Sequence, residues 1–435
     1  MLVKLKAGAT TSRQLVQEAL ERARGCSAEL NAFAAIEGRA VDRAAESDRR
    51  YAKGLVRRLE GIPIVIKDNI ETADIETRYG SAAYIGNVPK TDATVVRRLR
   101  DAGAIVLGKT TTHEFAWGVT TSSDAFGPTL NPADPKRIPG GSSGGSAVAV
   151  AYGVVPAGLG TDTGGSVRIP AALCGVVGFK PTFGILPTDG VFPLAPTLDH
   201  VGLICGNAED LVLLASALGM DIPRSDARPK RKIGVLSTPT DVPVESDIAS
   251  DFERVAERLR REHDVVEETE RLDEAYSIFA TLVPAEGGMV HFSRNSPSLI
   301  SERYGKETAA RLERSRSISI GDYAKAQDAR RTFSLKMASL FEQFELLVLP
   351  TCPCSAPLVG TERVDIDGWT GDVRKALMAH TAPANLVGYP AATIPMPRMR
   401  DAPPAGLQII GQPGCDHEVI DAAAQLQNMS CMDRA

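Results

Sequence analysis

The chain has 435 residues, 43% of them hydrophobic and 24% charged, which is the balance of a globular protein able to bury a large core. Its net charge of −5 argues against a nucleic-acid partner, because proteins that bind polyanions carry a basic balance or stripe. Seven cysteines imply no disulfide framework, and the absence of a leader-like or membrane-spanning apolar run leads us to expect a cytoplasmic protein without a membrane partner.

The first part of the chain alternates between the periodicities of helices and strands. Thr11 and Gln14 form a capping box ahead of apolar residues at helical spacing. A short β-branched run has the pattern of a buried strand, with Lys67 at its carboxyl end. The predicted elements are a helix from residue 12, a helix over 40–51, a strand over 62–66, a helix over 94–102 and a strand over 104–107. This order predicts an α/β protein with helices packed on a largely parallel sheet.

The rest of the chain changes character twice. The predicted elements are a loop over 122–139, a helix over 146–152, a strand from residue 232, a charged and mostly helical stretch over 247–345, and strands over 346–349 and 391–394. We therefore expect one domain over 1–435. Its parts are a core over 62–210 that carries the catalytic residues, a variable and mostly helical section over 224–345, and a return to the core sheet over 346–435.

Two serine-bearing glycine loops indicate the chemistry. One reads Pro-Gly-Gly-Ser-Ser-Gly-Gly-Ser over 139–146, and the other reads Gly-Thr-Asp-Thr-Gly-Gly-Ser over 160–166. Glycines allow successive backbone N–H groups to converge on one point, which makes an anion nest beside the serine. Acyl transfer needs a nucleophile, a base and donors for the oxyanion. The loops supply hydroxyls and donors, and Lys67 is the candidate base.

Lys67 can act as a base only if its amine is neutral near neutral pH. The ordinary lysine pKa is about 10.4, and burial can lower it by roughly 3–5 units. The apolar residues before Lys67 favour burial, whereas Asp68 would oppose the shift if it lay near the amine. In the alternative interpretation, Lys67 reaches solvent and the loops are ordinary turns. The combination of all three features favours a serine hydrolase that needs no histidine.

Other active sites fit the sequence less well. Neither loop has the lysine of a phosphate-binding P-loop. The first loop contains Gly-x-Ser-x-Gly, the pattern of an α/β-hydrolase nucleophile elbow. Such an elbow directly follows a strand, and the prolines before this loop are incompatible with one. His380 and His417 remain candidates for a Ser-His-Asp triad. Cys352 and Cys354 lack the further ligands of a zinc site, so we expect no metal and no organic cofactor.

Long motifs resemble the amidase signature family over most of the chain, with 224–345 matching weakly. They lie at 61–69, 107–110, 126–129, 139–146, 160–171, 174–182, 349–351, 381–385 and 406–411. The resemblance implies a mixed, mostly parallel central sheet of about eleven strands, flanked by helices on both faces. One departure is that relatives usually read Pro-Thr-Thr-Pro-Thr where this chain has cysteines at 352 and 354.

The resemblance also implies roles for individual residues. Ser166 is the implied nucleophile, Ser142 a relay serine that follows a cis peptide bond, and Lys67 the base. The resemblance also implies that the backbone N–H groups of Thr163, Gly164, Gly165 and Ser166 form the oxyanion hole. The implied supporting residues are Ser143, Asp162 and Arg168.

The function expected from the residues and the resemblance is hydrolysis of a C–N amide bond of a small substrate through an acyl-enzyme. Amides, anilides, ureas and carbamates all present a suitable carbonyl, with water as the second reactant. The alternatives are the glutaminase subunit of a tRNA-dependent amidotransferase, disfavoured here by the short chain, and a catalytically silent binding protein of the same fold. A homodimer is common in similar proteins and is a further expectation.

Overall fold

Local signals in the sequence set the boundaries of the first elements. In the computed structural model, which describes residues 1–222, 230–399 and 401–431, the capping box is formed in both directions between Thr11 and Gln14. The first long helix ends at Asn31, which adopts the left-handed conformation. The predicted section boundary at 224 lies outside the described residues.

The described chain mixes helices and strands over its first half, followed by a helix-rich section. The helices are α1 Leu2–Lys6, α2 Ser12–Leu30, α3 Ala40–Ala52, α4 Thr94–Asp101, α5 Gly144–Ala151, α6 Arg168–Cys174, α7 Glu209–Ala217, α8 Ser246–Glu262, α9 Glu274–Arg294, α10 Pro297–Arg303, α11 Lys306–Ser315, α12 Ile320–Gln343, α13 Val373–Met378, α14 Ala382–Val387 and α15 Asp416–Cys431. The strands are β1 Phe33–Ile36, β2 Pro63–Lys67, β3 Ile105–Thr110, β4 Ser122–Ser123, β5 Gly127–Pro128, β6 Ala157–Asp162, β7 Val177–Lys180, β8 His200–Cys205, β9 Lys232–Val235, β10 Asp264–Glu267, β11 Leu346–Pro350, β12 Arg363–Ile366, β13 Trp369–Asp372, β14 Ala391–Pro395 and β15 Gly406–Gly411.

Eleven of the described strands form one mixed sheet, which confirms the expected fold class. The order is β1-β3-β2-β6-β8-β7-β14-β15-β11-β9-β10. Among these described strands, only the pairs β2–β3, β2–β6, β9–β10 and β9–β11 are parallel. The expectation of a mostly parallel sheet is therefore wrong. The six strands from β6 to β11 in the sheet order pair antiparallel, a direction that their apolar composition could not reveal.

Helices cover both faces of this sheet. Alternate residues of β2 enter different hydrophobic clusters: Ile64 and Ile66 pack into one, and Val65 packs into the other. In β11, Val348 and Leu349 likewise pack into different hydrophobic clusters, one on each face of the sheet. Strands buried on both faces read as continuous apolar runs, which is why the sequence revealed them.

Two predictions outside the core need correction. The stretch 247–345 is mostly helical as expected, but it also contains β10, which pairs with β9 at the edge of the sheet. This strand is largely exposed and lacks an apolar run. The predicted loop over 122–139 contains the short β4–β5 hairpin.

Close packing between β7 and α6 fixes the helix that follows the second glycine loop. A Cβ at Gly178 would lie 2.7 Å from the Cβ of Ala171 and 3.0 Å from the backbone oxygen of Val167. Both distances are shorter than a normal carbon contact. Gly178 is therefore required by the approach of helix to strand.

We expect Gly178→Ala to lower the free energy of unfolding by roughly 1–3 kcal/mol, because overpacking forces a shift of α6. The check is the denaturation midpoint in urea. The matched control is Gly206→Ala, whose Cβ would meet no atom closer than 3.9 Å and should leave the midpoint unchanged. Equal midpoints for the two variants would contradict this account.

Candidate active site

The side chain of Lys67 lies at the centre of the candidate site. It ends β2, and its amine donates hydrogen bonds to Ser142 Oγ and Thr161 Oγ1, each at 2.7 Å. Because β2 and β6 are parallel neighbours in register, the end of β2 lies beside the end of β6, where Thr161 is located. Asn69 Nδ2 donates to the same threonine oxygen at 3.0 Å. The amine is thus held between two hydroxyl oxygens.

Burial lowers the pKa of Lys67 to about 7, although the negative charges of Asp162 and Asp199 act in the opposite direction. Its side chain has no exposed surface. Asp68 is not the opposing charge: its carboxylate lies 3.9 Å from the amine of Lys109, on the neighbouring strand β3. The Lys67 amine can therefore exist in its neutral form near neutral pH.

The first glycine loop brings Ser142 to this amine. The peptide bond between Gly141 and Ser142 is cis. Ser143, the next residue, accepts a hydrogen bond from the Thr161 N–H at 3.2 Å and donates from its hydroxyl to the Thr161 oxygen at 3.1 Å. The Ser143 N–H donates to the backbone oxygen of Ser166 at 3.0 Å. Ser143 therefore joins the two glycine loops.

Ser166 lies in the second loop, between β6 and α6. It retains 8% of its surface exposed, whereas Ser142 is wholly buried, so Ser166 is the more accessible of the two serines. In the described residues, no hydrogen bond joins the Ser142 and Ser166 hydroxyls. Hydrogen bonds of this kind are often long in unliganded enzymes and shorten when the substrate binds.

The N–H groups of this loop are not equivalent. The Gly165 N–H donates to the Asp162 carboxylate at 2.8 Å and is therefore not free to hold an oxyanion. Among the described residues, the N–H groups of Thr163, Gly164 and Ser166 donate to no protein acceptor. These three remain as candidate donors, so the expectation for Gly165 needs correction.

A buried ion pair holds the loop in place. Arg168 donates to Asp162 through Nη2 at 2.9 Å and Nε at 3.1 Å. Burial opposes ionisation of Asp162, but the charge of Arg168 outweighs it and keeps the Asp162 pKa below its usual range. Arg168 also donates to the Thr381 oxygen, Asn385 Oδ1 and Gln408 Oε1. Arg168 and Asp162 therefore tie the loop to α14 and β15.

Sequence reasoning missed several of these contacts. Thr161 and Asn69 lie inside the family-like motifs, but a threonine or an asparagine gave no sign of a role. Asp199 accepts a hydrogen bond from Thr163 Oγ1 at 2.6 Å, and burial raises its pKa to about 6. No local pattern around Asp199 connects it to a loop 36 residues earlier.

The alternative arrangements are not formed in the described part of the chain. There, none of the six histidines is hydrogen bonded to a serine hydroxyl; His380 Nδ1 pairs with the Pro350 oxygen, and His417 lies near Glu418. Cys352 and Cys354 are buried, and burial raises the pKa of the Cys354 thiol to about 12. Within the described ranges, no group of three or more histidine, cysteine or acidic side chains is placed to hold a metal, and no helix could span a membrane.

The chain is similar to known proteins over most of its length. A family model described as Amidase matches residues 14–420. The chain is 36% identical to a glutamyl-tRNA(Gln) amidotransferase subunit of Deinococcus radiodurans, over 90% of this chain and 88% of that protein. It is 33% identical to the AtzE subunit of 1-carboxybiuret hydrolase from Pseudomonas sp. (strain ADP), over 98% and 96%. A crystal structure of an amidase superposes with a TM-score of 0.92 at 33% identity, covering 98% of both chains. The chain therefore belongs to the amidase signature family.

Proposed function

We propose that this protein is an amidohydrolase that cleaves the C–N bond of a small amide-type substrate through an acyl-enzyme on Ser166. The observation that carries the proposal is the contact of a wholly buried lysine amine with the Ser142 hydroxyl at 2.7 Å. A neutral amine in that position can accept the serine proton. The assignment of Lys67, Ser142 and Ser166 as base, relay and nucleophile rests on this contact and on the family motifs.

Acylation begins with proton transfer from Ser166 through Ser142 to Lys67. The Lys67 amine takes the proton of Ser142, Ser142 takes the proton of Ser166, and Ser166 Oγ attacks the substrate carbonyl carbon. The carbonyl oxygen gains negative charge and is held by the N–H groups of the nucleophile turn, among which Gly164 and Ser166 are the nearest in sequence to the reacting hydroxyl. The relay requires the Ser166 hydroxyl to turn toward Ser142 when the substrate is bound.

Breakdown of the tetrahedral intermediate returns the proton through the same relay to the leaving nitrogen. The C–N bond breaks, and the amine departs with Ser166 acylated. Water then attacks the ester carbonyl and loses its proton to the relay. The ester bond to Ser166 breaks, its oxygen regains a proton, and the carboxylic acid product is released. At the end of the cycle Lys67, Ser142 and Ser166 are in their starting protonation states, so the reaction needs only the amide and water.

A glutaminase subunit is the second candidate function. Similarity to the Deinococcus radiodurans amidotransferase protein supports it, and the same three side chains would release ammonia from glutamine. We favour the hydrolase because its reaction is completed by water, whereas an amidotransferase also needs a partner that receives the ammonia. A small-molecule substrate, a cytoplasmic location, a homodimer and the division into sections at 62–210, 224–345 and 346–435 stay predictions.

Ser166→Ala is expected to lower amide turnover by roughly 10⁴-fold or more, because the acyl-enzyme cannot form. Turnover of an amide panel and labelling by a fluorophosphonate probe provide the measurement. Ser146→Ala is the matched control: this serine lies in the first glycine loop, but its hydroxyl bonds to the Leu159 oxygen at 3.0 Å. Labelling that persists in Ser166→Ala would place the nucleophile elsewhere.

The rate of acylation should rise with pH and level off above about 7. The reason is that the depressed pKa of Lys67 makes the neutral, proton-accepting amine predominant only above that value. Lys67→Met should lower kcat/KM by about 10²- to 10⁴-fold and remove this limb of the pH profile. Lys109→Met deletes a second buried lysine, which bonds to Thr77 Oγ1 and not to a serine, and should keep the midpoint near 7. A profile that is flat from pH 5 to 9 in the wild type would refute the assignment.

Glutamine turnover distinguishes the two candidate functions. The purified chain alone should hydrolyse small amides, and added amidotransferase partner subunits with glutamylated tRNA should not change its rate on glutamine. If glutamine were hydrolysed only in the presence of those partners, while simple amides were inert, the amidotransferase function would replace the one proposed.

A further inference from the structure

A cavity of about 240 Å³ is lined by three arginines. Its walls are apolar side chains of α9 and an indole, and its charged lining is entirely cationic within the described chain. The lining includes Trp117, Phe279, Arg311, Arg314 and Arg374. A cavity with apolar walls and a few convergent polar groups is the usual form of a small-molecule site.

The guanidinium of Arg311 is only partly satisfied. Its residue is 4% exposed, and Nη2 donates to Glu307 Oε1. Its Nε and Nη1 atoms are buried and have no hydrogen-bond partner among the described residues. Burial, followed by the nearby charge of Arg374, lowers the pKa of Arg311 to about 9. Leaving a buried cationic donor unpaired is costly, so these groups favour an anionic acceptor.

Two more donors without a partner belong to the same cavity. Arg374 Nε and Trp117 Nε1 are buried and have no hydrogen-bond partner in the described part of the chain. The adjacent acidic residues are already engaged. Glu307 is shared between Arg311 and His113, and the Asp372 carboxylate caps α13 by accepting from the Arg374 N–H at 2.7 Å. The described lining of the cavity thus has three arginines and no acidic residue, and Glu307 and Asp372 lie beside it.

The cavity adjoins the predicted oxyanion donors. A Cβ built on Gly164 would lie 2.6 Å from the ring of Phe279 and 2.6 Å from Cε of Met378, so both side chains pack directly on this glycine. Phe279 also lines the cavity. Met378 ends α13, one helical turn after Arg374, and residues at this spacing share a helix face. A substrate held at Gly164 can thus extend along Phe279 toward the arginines.

We propose that Arg311 and Arg374 bind a carboxylate at the non-reacting end of the substrate, so that the enzyme acts on small amides that carry a second, anionic group. This inference rests on the proposed amidohydrolase function and specifies its substrate class. Trp117 Nε1 supplies a further donor, and Phe279 packs against the short carbon chain between amide and acid. Arginine matches the planar, two-oxygen geometry of a carboxylate.

The test compares paired substrates of equal shape. Succinamic and glutaramic acids are assayed against the primary amides in which an isopropyl group replaces the carboxylate. The wild type should prefer the acids in kcat/KM by about 10- to 100-fold, the usual effect of a charge-assisted hydrogen bond. Arg374→Gln should remove most of that preference through KM, since the carboxylate is bound equally in ground and transition states.

Two controls separate the possible outcomes. Arg316→Gln alters an exposed arginine of the neighbouring turn, which pairs with Glu313 outside the cavity, and should keep the preference. Arg311→Gln tests the buried partner, and calorimetric binding of succinate to Ser166→Ala, weakened by Arg374→Gln, gives a readout independent of turnover. Equal rates on acids and isopropyl amides would overturn the carboxylate site alone. Absence of turnover on every amide, with succinate still bound, would overturn the amidohydrolase function instead.

Discussion

The site depends on keeping the Lys67 amine away from both water and carboxylates. The amine lies at the end of a strand covered by helices on both faces, and among the described residues it donates only to the hydroxyls of Ser142 and Thr161. The two carboxylates whose charges act on this amine are engaged elsewhere: Asp162 by Arg168, and Asp199 by the Thr163 hydroxyl and backbone N–H groups. A direct ion pair would fix the proton on the amine and remove the base. Burial without a counter-ion is therefore the constraint that the surrounding structure satisfies.

The buried Asp162–Arg168 pair explains why the last section of the chain must return to the core. Arg168 donates to groups on α14, β15 and the turn before α14, more than 200 residues from the nucleophile loop in sequence. Asp162 in turn orders the loop by accepting from the N–H groups of Gly165 and Val167. Because the pair is satisfied on every side, its desolvation is offset by hydrogen bonds, and the loop is held rigidly beside Lys67.

Much of the candidate site was predictable because its residues lie in short glycine-rich motifs with few conformational options. The strand before Lys67 and the helix after the first glycine loop followed from local patterns, whereas α6, after the second loop, was not predicted. The contacts of Asp199, Asn385 and Gln408 could not be predicted, since they depend on strand order across the sheet. The predicted direction of the central strands was wrong because a strand buried on both faces has the same composition whichever way it runs. Gly165 was expected in the oxyanion hole because a glycine pattern does not specify where each N–H points.

The proposed chemistry and the proposed carboxylate binding use different parts of the fold. The proposed reacting groups lie on β2 and the two glycine loops, whereas the arginine-lined cavity is formed by α9, α11 and α13. Of these helices, α9 and α11 lie in the section of the chain that matches the family motifs weakly, and α13 lies in the later section over 346–435. If the cavity binds the substrate as proposed, substitutions in these helices would change which group is bound at its far end without disturbing Lys67, Ser142 or Ser166. A carboxylate in that cavity would neutralise the repulsion between Arg311 and Arg374, so substrate binding would relieve an unfavourable interaction already present in the free enzyme.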